Sequence, residues 1–306
     1  MKNVASSISL SEKNLEIQEN KYVKTRDVES ISHIVEQVIE SENIIGSIPD
    51  FHNLAVDLAA LNLHELACEI LKRGIKIHNN SVDLYADYLL YGRDFEGSRE
   101  SSEKYYEILK SIDDRFWTWR GYAFSLEYLK SKLFRTNDHE VIAKIEEDIN
   151  QIIQAYYAKL PDDELPYFAE ANLYRGIEPE KESKVLAKAL SQLKSHPRCT
   201  IRYVDLLLSK SGDINAYKKA AEDLEFAKLQ INEDLDFGYA QFLRGLCLIR
   251  LLNNEDYKNK EKIEEIYQCF RIAQIEELRV KGSDISFLKK QIRMLETLSN
   301  TKYEET

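Results

Sequence analysis

Large apolar side chains recur along this chain at spacings of three and four, which is the period of one face of a helix. The sharpest instance runs from Trp117 to Phe124: Trp117, Arg120, Gly121 and Phe124 set two large rings either side of a small residue. That order predicts a helix, over about 114–135, that touches a neighbour at Gly121. A second helix is expected at 138–159, carrying Ile142, Ile145, Ile149, Ile152, Ile153 and Tyr156, with Thr136-Asn137-Asp138 as break and cap and Pro161 as stop. Similar pairs precede and follow. Phe51, Leu54, Ala55 and Leu58 form one stripe and Ala67, Leu71 and Gly74 its partner, joined by a turn at Asn62. Small residues at 55, 67 and 74 let two antiparallel helices approach, and the large ones fill the space between.

Helix–turn–helix units are expected at about 48–81, 82–112, 113–161, 162–196, 197–232 and 235–281, followed by an amphipathic capping helix at 284–298. A helix is also expected from near Asp27, with Ile31, Ile34, Val35, Val38 and Ile39 as its stripe. Residues 1–25 lack an apolar period and are expected to form a flexible tail, and residues 300–306 to fray. No composition break interrupts 26–299, so one continuous domain is expected. Ten Gly and five Pro in 306 residues leave little material for the turns of a sheet-rich fold, which supports an all-α reading.

Phe51, Leu54, Ala55, Leu58, Ala67, Leu71 and Gly74 resemble the tetratricopeptide repeat in order and spacing. Asn79 stands where the family's closing Pro would be, whereas Pro161 closes the third unit as the pattern asks. The resemblance covers roughly 48–281, specific in two units and loose in four. It implies antiparallel helix pairs stacked into a right-handed α-solenoid, capped by a terminal helix with a polar outer face. It also implies a concave wall, made by the first helix of each unit, that binds a segment of another protein. The alignment nominates His52 and Val56, Ala86 and Arg93, Tyr122 and Ser125 in the first three units. It nominates Phe168, Asn172 and Arg175, then Arg202, then Leu246 and Arg250 in the last three. The chaperone-tail clamp of that family uses Lys and Asn where His52 and Val56 stand, so that ligand is not expected.

Charge narrows the choice of partner. A net charge of −11 repels nucleic acid and anionic membranes on average, so general binding of either is not expected. Arginines nominated within so acidic a chain suit an acidic or carboxylate-terminated segment of a partner protein. The competing reading pairs them with Asp and Glu on neighbouring helices. A homodimer is a further possibility if the second unit exposes an apolar wall. No apolar run approaches the ~20 residues of a membrane span. The N-terminus lacks a signal-peptide core, and Cys68, Cys199, Cys247 and Cys269 are scattered singly, so a reducing cytoplasm is expected.

Sites for chemistry are sparse, and no cofactor is expected. His64-Glu65-Leu66-Ala67-Cys68 has Cys where the HExxH zinc helix has its second His, but Ala67 is already a helix-contact position. Arg26 and His33 resemble the Arg–His spacing of the small helical ribonucleases of the HEPN family, but Arg26 stands at or before the expected helix start, and a surface pair near a helix cap accounts for them better. Asp113-Asp114, Asp162-Asp163-Glu164 and Glu233-Asp234 each precede a predicted helix, where acids cap free amides and complement the dipole. The expectation is a non-catalytic interaction scaffold or adaptor. The alternatives are a peptide-responsive regulator or a cryptic helical ribonuclease-like enzyme.

Overall fold

The computed structural model describes residues 8–11, 13, 35–41, 44–93, 96–209, 214–227, 237–275 and 282–303. The described residues are overwhelmingly helical, and among them one two-residue parallel pairing joins β1 (Ile8–Ser9) to β2 (Ile44–Ile45). It divides into two compact units, Met1–Pro161 and Asp162–Thr306, where the sequence reads as one stack. Pro161, which has no amide hydrogen with which to continue the preceding helix, stands at the division.

In the first unit α1 (Ile48–Ala60) begins at a capping box, with the Ser47 backbone amide donating to Asp50 Oδ2 at 2.8 Å and Pro49 in the first turn. Asn62 takes the left-handed conformation, φ 63°, to turn the chain into α2 (His64–Ile77). Phe51, Leu54, Ala55 and Leu58 on α1 are buried, as are Ala67, Leu71 and Gly74 on α2. A Cβ on Gly74 would lie 2.8 Å from Phe51 Cγ, which is why the ring demands a residue without one. Four helices follow: α3 (Val82–Gly92), α4 (Arg99–Ser111), α5 (Trp119–Leu133) and α6 (His139–Lys159). Helices α1, α2 and α3 each pack on the next, α5 packs on α6, and α4 meets α5 through the Tyr106 and Tyr128 rings, 5.3 Å apart. The odd helices also lie side by side, α1 on α3 and α3 on α5.

Two expectations are corrected here. Within the expected tail, Leu10 is fully buried and abuts the bend at Gly46, while residues 1–7, 12 and 14–25 lie outside the described residues. A lone Leu between polar residues has no period, so its burial leaves no trace in the pattern. The third unit's first helix begins at Trp119, capped by Thr118, and not at 114; residues 114–116 form a 3-10 turn. Trp117 therefore sits in extended backbone ahead of the helix. Residues 35–40 are helical with Val35 and Val38 buried, while Asp27 to Ile34 lie outside the described residues.

The second unit contains α7 (Leu165–Tyr174), α8 (Pro179–Gln192), α9 (Pro197–Ser209), α10 (Ile214–Ala227), α11 (Phe237–Leu251), α12 (Lys260–Ile275) and α13 (Gly282–Ser299). Here too each helix through α10 packs on its successor, and α7 lies on α9 and α9 on α11. The core gathers Val204, Leu224, Leu243, Cys247, Ile266 and Phe270, closed by Leu288, Ile292 and Leu295 of α13. Gly245 lets α11 meet the Phe270 ring of α12, where a Cβ would fall 2.9 Å from Cδ1. The expected fraying after α13 is corrected for residues 301–303, while 304–306 lie outside the described residues. Tyr303 lies edge-on to Tyr267 with ring centroids 5.0 Å apart, and the Tyr267 hydroxyl donates to the Thr301 carbonyl at 3.0 Å.

Candidate functional site

In the first unit α1, α3 and α5 form a wall that is tied by polar side chains. One face of α3 carries Asp83, Asp87 and Tyr91 at successive turns. Asp83 accepts from Thr118 Oγ1 at 2.6 Å, which links α3 to the cap of α5. Asp87 Oδ2 lies 2.6 Å from His52 Nδ1, which links α3 to α1. Arg93 Nη1 donates to Glu127 Oε2 at 2.9 Å, a third tie, to the middle of α5.

Asp87 is fully buried, and its Oδ1 has no hydrogen-bond partner. Burial raises its pKa above the usual 3.8, and the hydrogen bond and charge of His52, with the charge of Arg120, only partly oppose the rise. Tyr91, on the same face, is pushed up to about 12 by burial, with the Asp87 charge adding to it. His52 keeps Nε2 available beside the exposed Val56 one turn on. On α5 the Arg120 guanidinium lies 5.4 Å from the Trp119 ring, which is 41% exposed and edge-on to Phe124. The wall thus offers a histidine, an arginine over an indole, and a buried acid beneath them.

Asp87→Asn keeps an acceptor for His52 and removes the buried charge. Because Asp87's folded pKa stands above 3.8, its contribution to stability is complete below pH 3.8 and lost as pH rises through the folded value. The Asn variant should therefore gain stability relative to the native protein between pH 3.8 and neutrality. Urea midpoints of both proteins at the two ends of that range check it; a constant difference contradicts it.

The nominated residues fall into three groups. His52 and Val56 lie on the wall. Phe168 and Asn172, one turn apart on α7, are half-buried, Arg175 is exposed just after that helix, and Arg250 is exposed in the last turn of α11. Leu246 packs partly against the core of the second unit. Ala86, Tyr122 and Ser125 are instead interior. Tyr122 stacks on Tyr156 at 4.7 Å and 10°. The positions in the third unit were counted from Trp117, which precedes the helix, so each lands on the wrong face. Arg93 and Arg202 are paired with carboxylates, Arg202 Nε with Glu182 Oε1 at 2.6 Å and Nη1 with Asp205 Oδ2 at 3.0 Å.

Asp87 and Arg120 were not anticipated. The signal for Asp87 was a single acid inside Leu84-Tyr85-Ala86-Asp87-Tyr88-Leu89-Leu90, a run otherwise fit for burial. Among the acids expected to cap, Asp113 and Asp163 accept backbone amides at their helix starts. Glu164 instead accepts the Cys199 amide at 3.0 Å, and burial raises its pKa. Glu233-Asp234, Arg26 and His33 lie outside the described residues. Cys68 is buried and its thiol pushed up to about 12 by burial, so the thiolate a metal needs is disfavoured there. Among the described residues no three His, Cys, Asp or Glu gather as a metal site, and no helix is long and apolar enough to cross a membrane. No protein-family model matches the chain, and no curated protein matches it.

Proposed function

We propose that this chain is a non-catalytic interaction scaffold of the tetratricopeptide kind, a right-handed α-solenoid whose odd-numbered helices hold an extended segment of a partner protein. The observation that carries this reading is the polar wall of α1, α3 and α5, where His52, Asp87 and Arg120 converge beside exposed Val56 and Trp119. A wall of this kind suits a peptide. His52, with its Nδ1 proton held by Asp87, presents Nε2 as an acceptor for a backbone amide, and Arg120 presents a fork for a carboxylate. Trp119 and Val56 supply apolar contact on either side. The partner segment is therefore acidic, with a C-terminal carboxylate as the simplest case. Arg93 and Arg202 are assigned to holding helices together and not to the groove.

The wall predicts a specific loss. A partner captured by the native chain at low salt should be released as salt rises, since exposed charge pairs are screened. It should also be lost from Arg120→Glu, with affinity lower by at least about tenfold, the effect of one charge-assisted contact. Binding measured by titration with the captured partner checks both. A partner retained by Arg120→Glu at undiminished affinity contradicts the wall as its site. An Arg202→Ala chain that loses the partner while keeping its stability would return Arg202 to the groove.

A further inference from the structure

A second feature of the first unit shares Arg93 with the wall but lies beyond its His52, Asp87 and Arg120 cluster. The last turn of α3, the first turns of α4, the last turn of α5 and the start of α6 enclose a cavity of about 240 Å³. Among the described residues its lining includes four cations, Arg93, Arg99, Lys132 and Arg135, and one carboxylate, Glu103. In a chain of net charge −11 this is a local reversal of sign.

The floor carries an unpaired donor. Ser102 is 1% exposed and lines the cavity, yet its hydroxyl has no hydrogen-bond partner. A buried hydroxyl left unpaired is costly, and a bound group that accepts from it removes the cost. Gly92 keeps the space above it open, since a Cβ there would stand 3.2 Å from Ser102 Oγ and 3.0 Å from Ser98 Oγ. Glu103 is already occupied, because Lys132 Nζ and the Tyr128 hydroxyl both donate to it at 2.7 Å. Burial works against its charge, but these two partners prevail and hold the carboxyl below its usual range. Glu103 thereby anchors Lys132 at the edge of the cavity. Arg99 and Arg135 are exposed at the rim, and Val141 gives one apolar side.

We propose that this cavity binds the phosphate group of a small organic phosphate monoester. Donors reach it from three separate segments, the end of α3, the first turns of α4 and the end of α5, an arrangement that serves the several oxygens of a phosphate and exceeds the needs of a planar carboxylate. Its volume lies just under the roughly 300–1,000 Å³ of common ligand pockets, so the organic part is small. Ser102 donates from the floor, Arg99 and Arg135 close from the rim, and Arg93 keeps its tie to Glu127 while adding positive potential.

Phenyl phosphate and phenylacetate, titrated calorimetrically into the full chain, test the assignment. Phenyl phosphate should bind saturably and at least about tenfold more tightly than phenylacetate. Ser102→Ala should weaken it by about tenfold, and Arg99→Glu with Arg135→Glu by about a hundredfold, one decade for each charge-assisted contact. The rim residues are exposed, and circular dichroism confirms that each variant retains its helices. Failure of phenyl phosphate to bind, equal affinity for the carboxylate, or undiminished binding by the rim variant each overturns the proposal. A phosphotyrosine peptide that binds at least about tenfold more tightly than phenyl phosphate overturns the small-molecule assignment.

Discussion

Arg202→Ala should lower the unfolding free energy by about 3–5 kcal/mol, the range for breaking a buried ion pair from one side. Glu182 occupies a core position of α8, in register with buried Leu186 and Ala189, and its side chain is 1% exposed. Its Oε1 receives Arg202 Nε at 2.6 Å, while its Oε2 has no hydrogen-bond partner. Removing the guanidinium would strand a carboxylate inside the second unit. The other arm of Arg202 reaches Asp205, whose side chain is 40% exposed, so Asp205→Ala should cost no more than about 1 kcal/mol. Replacing both buried partners, Arg202→Leu with Glu182→Leu, should recover most of the loss, because neither charge is then desolvated. Urea midpoints with unchanged slopes measure all three. A single Arg202→Ala variant as stable as the double replacement would contradict the buried pair.

Trp117→Ala should cost about 3–5 kcal/mol in the first unit, as truncations of buried aromatic rings do. Trp117 is 8% exposed, its ring lies 5.1 Å from that of Tyr122, and Gly121 leaves room beside it. Tyr122 in turn stacks on Tyr156 of α6, so the indole stands at one end of a three-ring column. Its Nε1 donates to the Ile112 carbonyl at 3.1 Å, which fixes the turn ahead of α5. Trp117→Phe keeps a ring but loses that donor and some volume, and should cost about 1 kcal/mol for the hydrogen bond plus a smaller packing loss. Equal destabilisation by the two variants would mean that the hydrogen bond and not the ring column matters most.

The same residue shows where the sequence was legible and where it was not. Trp117 and Gly121 belong together, as their sizes suggested, but through a turn and not along one helical face. Counting by 100° per residue from a position outside the helix carried Tyr122 and Ser125 to the wrong side. In the first pair, where the helix start was marked by Ser47, Pro49 and Asp50, the same counting found the buried face of α1. On that helix it also placed His52 on the wall. Leu10 and Tyr303 were missed because a single large residue amid polar ones has no period, and only a distant partner gives it a place.

The sequence by itself determined the helices, most of their ends and the small residues at their contacts. These follow from local geometry: a stripe every three or four residues, a cap, and a residue too small to keep two backbones apart. The tertiary structure alone decided the role of each charge. Arg93, Arg120 and Arg202 look alike in the chain. Yet one ties two helices at a cavity rim, one lies over an indole on an open wall, and one neutralises a buried acid. Those differences arise from which side chains, tens of residues away, are brought within 3 Å, and from how much water is removed around them.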